Sequence, residues 1–225
     1  MPSLTLQPDA TDGVDVFIYL NAPTNNYGIN AGLYTGGNPN DIPRSFIRFD
    51  VSSIPAGSTV SLATMTLNCV SAFVGTDNTL VSRCLTQWFE GAKNGAAPDA
   101  GQDGSTWNLR NANGSVAWAG GAGGAAGSDW SATPTASVPI ALNATGFYDF
   151  ILTSDVALFV GGTSNLGWAI TQQTEVAYRR QFDSSDHGTA SWRPKLVVEY
   201  SIPVAATGNA PFARTFHNVF RGPMG

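Results

Sequence analysis

The chain has 225 residues, a formal net charge of −5 and a pI near 4.8. Only 12% of its residues are charged, and its eleven Lys and Arg are scattered apart from Arg179–Arg180. That excludes the clustered basic surface that nucleic acid or an anionic membrane requires. The length suits one large all-β domain or two small ones, a hydrophobic share of 43% is enough for a core, and no apolar run approaches the roughly 18 residues that span a bilayer.

The first segment, "MPSLTLQPDATDG", has neither the basic n-region nor the apolar h-region of a secretory signal, so synthesis in the cytoplasm is expected. Strand signals then follow one another: "SLTLQ" (3–7), "DVFIYL" (15–20), "AGLYTG" (31–36) and "SFIRFDV" (45–51). Each is short, rich in β-branched and aromatic residues, and bounded by Gly, Pro, Asn or Asp. "TVSLATMTLNCVSAFV" (59–74) alternates, placing Ala63, Met65, Leu67, Cys69 and Phe73 on one face.

The turn candidate "GTDN" (75–78) suggests a hairpin whose second arm is "TLVSRCLTQWF" (79–89). Symmetry about Thr76–Asp77 would set Cys69 opposite Cys84, with Cα atoms about 4.5–5.5 Å apart. Two outcomes are open, a disulfide or two packed thiols. No Cys/His group has the spacing of a zinc site.

Segment 91–136 is Gly- and Ala-rich and carries Trp107, Trp118 and Trp130. Three tryptophans need somewhere to bury, so an ordered excursion packed on the sheets is expected rather than a disordered loop. Further strands are predicted at 137–142, 146–152, 166–172, 177–183 and 195–200. "TSDVALFVGG" reads as one short helix, capped by Thr153 or Ser154, with Asp155 in its first turn and Gly161 at its end. About ten short strands with little helix between them predict an antiparallel β-sandwich of jelly-roll type.

Candidate chemistry is sparse. "FDSSDHG" crowds Asp183, Ser184, Ser185, Asp186 and His187, but neighbours on extended chain point to opposite faces, so a turn with Gly188 at positive φ is expected rather than a triad or a metal-ligand cluster. No G-x-S-x-G elbow and no H-E-x-x-H run appears, and no catalytic residue is assigned. Asp50, Glu90, Asp149, Glu175 and Glu199 sit singly, so no carboxylate pair for glycoside hydrolysis is expected. A structural calcium would draw on Asp9, Asp12, Asp15 and Asn21, or on Asp99 and Asp103; no other cofactor is implied. Tyr27, Tyr34, Trp107, Trp118 and Trp130 are the aromatics that would stack on a sugar ring if they lay on an open face.

The order "DVFIYLNAPTNNYG", "RSFIRFDVSSIPAG", "RCLTQWFEG", "STWNLRN", "VAWAGGAGG" and "SWRPKLVVEY" resembles the DNRLRE-type β-sandwich family over roughly residues 3–200. Those domains are similar to jelly-roll carbohydrate-binding modules and occur on cell-surface, secreted and phage virion proteins. The resemblance implies a scaffold with an adhesive or structural role and supplies no catalytic residues. It divides the chain into a sandwich at 1–200 and a tail at 201–225. In that tail Phe212, Phe216, Val219 and Phe220 form an i, i+4, i+7, i+8 stripe, expected on a short helix that docks on the sandwich or on another subunit. Without a signal segment, the expectation is a non-enzymatic virion component, a capsid decoration or tail-associated protein. Its partners would be other virion subunits or copies of itself. The alternative is an extracellular carbohydrate-binding module that meets a surface glycan.

Overall fold

The computed structural model describes residues 1–73 and 75–203. In chain order its strands are β1 (Ser3–Leu6), β2 (Val14–Tyr19), β3 (Gly32–Thr35), β4 (Pro43–Arg48), β5 (Thr59–Phe73), β6 (Asp77–Arg83), β7 (Leu109–Asn111), β8 (Val116–Ala117), β9 (Ala136–Ile140), β10 (Gly146–Ile151), β11 (Trp168–Gln172), β12 (Arg179–Asp183) and β13 (Lys195–Ser201). One α-helix among the described residues, α1 (Thr153–Val160), lies between β10 and β11. The expected all-β antiparallel sandwich is what forms. One sheet holds β1, β3, β5, β10, β12 and β13, and the other runs β2-β4-β11-β6-β9.

β5 is the spine of the first sheet. Its Thr66 faces both Asp149 of β10 and Lys195 of β13, and its Cys69 faces both Gly146 of β10 and Phe182 of β12. β10 therefore lies along one side of β5, while β12 and β13 lie end to end along the other. Residues 184–194 leave that lane between the two strands and return to it. The alternation read from the sequence holds here, since Ala63, Met65, Leu67 and Cys69 all point into the core between the sheets. They meet Ile47, Val81, Trp168 and Ile170 from the second sheet, all nearly inaccessible. Phe73 is exposed, the one departure from the expected face.

The expected hairpin of β5 with β6 is not present. Both hydrogen-bonding sides of β5 are occupied by β10 and by β12 with β13, so β6 crosses to the second sheet and pairs with β11 and β9. Cys69 and Cys84 are consequently separate free thiols, one in the core between the sheets and the other beneath the tryptophan loop. Burial pushes the Cys69 thiol up to about 11 and raises that of Cys84 further still.

The second sheet is covered on both faces. Its inner face carries Ile47, Trp168 and Ile170, and its outer face carries Val16, Ile18, Phe46 and Ala169. The excursion after β6 folds over the outer face, bringing Trp88, Trp107, Trp118 and Trp130 onto Phe46 and its neighbours. The Phe46 ring stacks on Trp118 with centroids 5.1 Å apart and meets Trp130 edge-on at 5.9 Å. The Gly and Ala content has two local causes. Gly123 and Gly124 lie at positive φ where a Cβ would fall 2.5 Å from the Trp107 ring and 2.6 Å from that of Trp130. The Asp129 side chain accepts the backbone N–H groups of Ala119, Gly120 and Ala125 at 2.8–2.9 Å, so the loop wraps a buried acceptor. Arg44 closes the layer: it donates to the carbonyls of Gly123 and Gly124, pairs with Glu175 at 2.7 Å, and lies 5.0 Å from the Trp107 ring centre.

In α1 the expected cap is replaced. Leu152 occupies the N-cap without a side-chain bond, and the Thr153 hydroxyl instead accepts the Ala63 N–H of β5 at 3.0 Å. Asp155 does stand in the first turn, where it accepts the Trp168 indole N–H at 2.8 Å and the Thr135 hydroxyl at 2.5 Å. Gly161 ends the helix. The tail residues Phe212, Phe216, Val219 and Phe220 lie outside the described residues.

Candidate functional site: an aromatic groove beside an acidic centre

β2 is one of the two edge strands of the second sheet, and β3 lies at the far side of β12 in the first, so the flank between them is open. Because Val16 and Ile18 face the tryptophan layer, the period of two turns Asp15, Phe17 and Tyr19 toward that flank. The aromatic pair and the acid define two adjoining sites.

Phe17 is the floor of a groove of about 220 Å³ lined by Tyr19, Tyr27, Tyr34, Asn30 and Arg179. Tyr27 stacks on Phe17 with centroids 4.2 Å apart, and Tyr34 meets the same ring edge-on at 5.0 Å. The Tyr19 hydroxyl donates to Asp41, whose carboxylate also pairs with Arg179 at 2.8 Å. These contacts fix the rings before any ligand arrives, and the tyrosines remain half-exposed. The structure thus brings Tyr27 and Tyr34 together as candidate stacking surfaces. It removes Trp107, Trp118 and Trp130 from that role, because they are 7%, 3% and 5% exposed and their faces are spent on the core. Phe17 and Tyr19 were missed. The alternating D-x-F-x-Y of β2 was the available signal, but nothing in it told the open flank from the core.

At the other end of the same strand face, Asp15, Glu90 and Asp186 converge, with carboxylate oxygens all within 4.8 Å of one another. This corrects the expectation that the acids sit singly. Glu90 is held by Asn26, a fully buried side chain that donates to the carbonyls of Glu90 and Ser105 at 2.5 and 2.9 Å. Its own oxygen accepts the N–H groups of Gly28 and Lys93. Glu90 in turn accepts the Asp15 N–H at 3.1 Å. The segment 184–187 is a turn, as expected, with the Ser184 hydroxyl accepting the Asp186 N–H. Its serines are nonetheless buried rather than solvated, and Gly188 is not at positive φ.

Ser185 donates its backbone N–H to Asp15 Oδ2 at 2.8 Å. Three oxygens here are buried without a partner: Asp15 Oδ1, Asp186 Oδ2 and the Ser185 hydroxyl. Burial raises the Asp15 carboxyl to about 7 and that of Glu90 to about 8, and it raises Asp186 as well. Among the described residues no Lys, Arg or His forms an ion pair with any of the three. Of the acids first considered for calcium, only Asp15 enters this centre. Asp9 and Asp12 bond within their own turn, Asp99 pairs with Lys93 at 2.6 Å, and Asp103 accepts from Asn111. His187 lies 3.7 Å from Asp183 and against Trp192, away from any nucleophile arrangement.

No family model and no curated protein matches the chain.

Proposed function

We propose that the chain is a non-enzymatic adhesion module that holds a glycan in the groove of Tyr19, Tyr27 and Tyr34. The observation that carries this is the groove itself, an open set of pre-positioned, half-exposed rings flanked by Asn30 and by the Arg179–Asp41 pair. Sugar rings present apolar C–H faces for stacking and hydroxyls for the polar rim, which is the mix the groove offers. The motif resemblance to carbohydrate-binding-like sandwiches supports the same reading. A glycosidase reading is disfavoured because the converging acids are inward: Asp15 is 1% exposed and lies outside the groove.

A polysaccharide and glycan array tests this, with calorimetry on any hit. Tyr27→Ala and Tyr34→Ala are expected to weaken binding by about threefold to tenfold each, the loss of one stacked ring. Absence of binding to every glycan would reject the proposal.

A second reading is a structural one, docking on other subunits as a capsid decoration or tail-associated component of a phage particle. It is favoured by the outer face of the first sheet, where Leu62, Phe147 and Ile151 are 38%, 58% and 50% exposed. Among the described residues the tryptophan layer covers the second sheet, whereas this face of the first stays exposed. Its phage setting rests on the motif resemblance.

A further inference from the structure

We propose that Asp15, Glu90, Asp186 and the Ser185 hydroxyl bind a calcium ion that ties three separate segments of the sandwich rim together. The segments are the start of β2, the turn after Trp88, and the excursion between β12 and β13. Three carboxylate oxygens within 4.8 Å of one another match the spread of ligands that each lie about 2.3–2.6 Å from one ion.

The independent sign of a ligand is the set of unpartnered oxygens. Asp15 and Ser185 are each 1% exposed; Asp15 Oδ1 and Asp186 Oδ2 accept no hydrogen bond, and the one side-chain donor near Asp15, the Ser185 hydroxyl, keeps lone pairs free for an ion even when it donates to that carboxyl. Ser185 stands beside the Asp15 carboxyl, fixed there by its backbone bond to Oδ2. Buried acceptors of this kind are rare without a partner, and a carboxylate buried without a cation is costlier still. Among the described residues no side-chain cation pairs with them.

The chemistry of the donors selects the ion. All are oxygen, which suits a hard cation and not zinc or copper. Three converging carboxylates favour calcium over magnesium, which takes only one or two carboxylates and keeps most of its waters. The surroundings are built to hold the donors still. Asn26 fixes the Glu90 backbone, and a Cβ on Gly13 would fall 2.1 Å from Ser185 Oγ, so the chain there must be glycine for the serine to enter. The proposal is independent of the glycan reading, since the groove and the acidic centre share a strand but no lining residue.

The test uses the full chain, stripped with EDTA and dialysed, then melted with and without CaCl₂ or MgCl₂. Calcium at a hundredfold above its dissociation constant is expected to raise the melting temperature by about 5–10 °C. Calorimetry is expected to show one ion per chain. Glu90→Gln and the less buried Asp186→Asn are expected to lower calcium affinity at least tenfold, while Asp99→Asn, a loop acid elsewhere, leaves it unchanged. Asp186→Asn keeps the test open if Glu90→Gln does not fold. No calcium-dependent shift and no binding heat up to 5 mM, about fivefold beyond the weak end of protein calcium sites, would overturn the proposal. So would equal stabilisation by magnesium, or unchanged calcium affinity in both variants.

Discussion

At the scale of single residues, Asn26 is a fully buried amide whose bonds hold the backbone around the acidic centre. Four hydrogen bonds converge on one buried amide, two donated and two accepted, and they join the turn before β3 to the turns at 89–93 and 105. Asn26→Ala would leave two carbonyls and two N–H groups unpaired, and we expect it to lower unfolding free energy by about 2–4 kcal/mol, read from urea denaturation. Asn26→Asp is expected to fail as a rescue, because a carboxylate cannot donate to the carbonyls of Glu90 and Ser105. In the sequence Asn26 stands only within the quoted motif "DVFIYLNAPTNNYG". Its role depends on strands brought together from positions far apart in the chain, as does the convergence of Asp15, Glu90 and Asp186. Local patterning carries no trace of either.

At the scale of elements, most strands were legible because each obeys a two-residue period within its own length. β5 is the clearest case: its apolar face followed directly from alternation, and so did the boundaries of β10 and β13 to within two residues. Partner choice was not legible. The turn "GTDN" suits a hairpin, yet pairing is decided by which strands saturate β5, and those lie 70 or more residues downstream of it. The tryptophan excursion was half-legible, since three indoles announced burial without saying against what.

That layer makes a prediction of its own. Trp118→Ala removes the ring stacked on Phe46, and the loss is expected to be about 3–5 kcal/mol by chemical denaturation. Gly124→Ala deletes no contact, yet it is expected to destabilise as well, because its Cβ has no room beside Trp130 and its φ is +73°.

At the scale of the whole molecule the two sheets differ. Among the described residues the second is covered on both faces and the first only toward the core, with Leu62, Phe147 and Ile151 looking outward. If that face docks on other subunits, the double substitution Phe147→Ser, Ile151→Ser should abolish self-association or incorporation into particles, as measured by light scattering and co-sedimentation. It should leave glycan binding in the groove intact, which separates the two functional readings. Retained association in the double variant would remove the outer face from consideration. The architecture that frames this choice was legible as a sandwich, whereas the groove was not. It forms where β2 and β3, edge elements of different sheets, meet.

The lane shared by β12 and β13 also governs how the molecule comes into being. β1 can pair only with β13, and β5 acquires no lateral neighbour until β10, β12 and β13 exist. A nascent chain on the ribosome therefore carries its first strand and its spine unpaired through most of synthesis. Loop-closure entropy across these separations must be met before the contacts repay it, placing the sandwich among slow, topology-limited folders. During that interval both hydrogen-bonding edges of β5 are open to wrong partners, until β10, β12 and β13 pair with them.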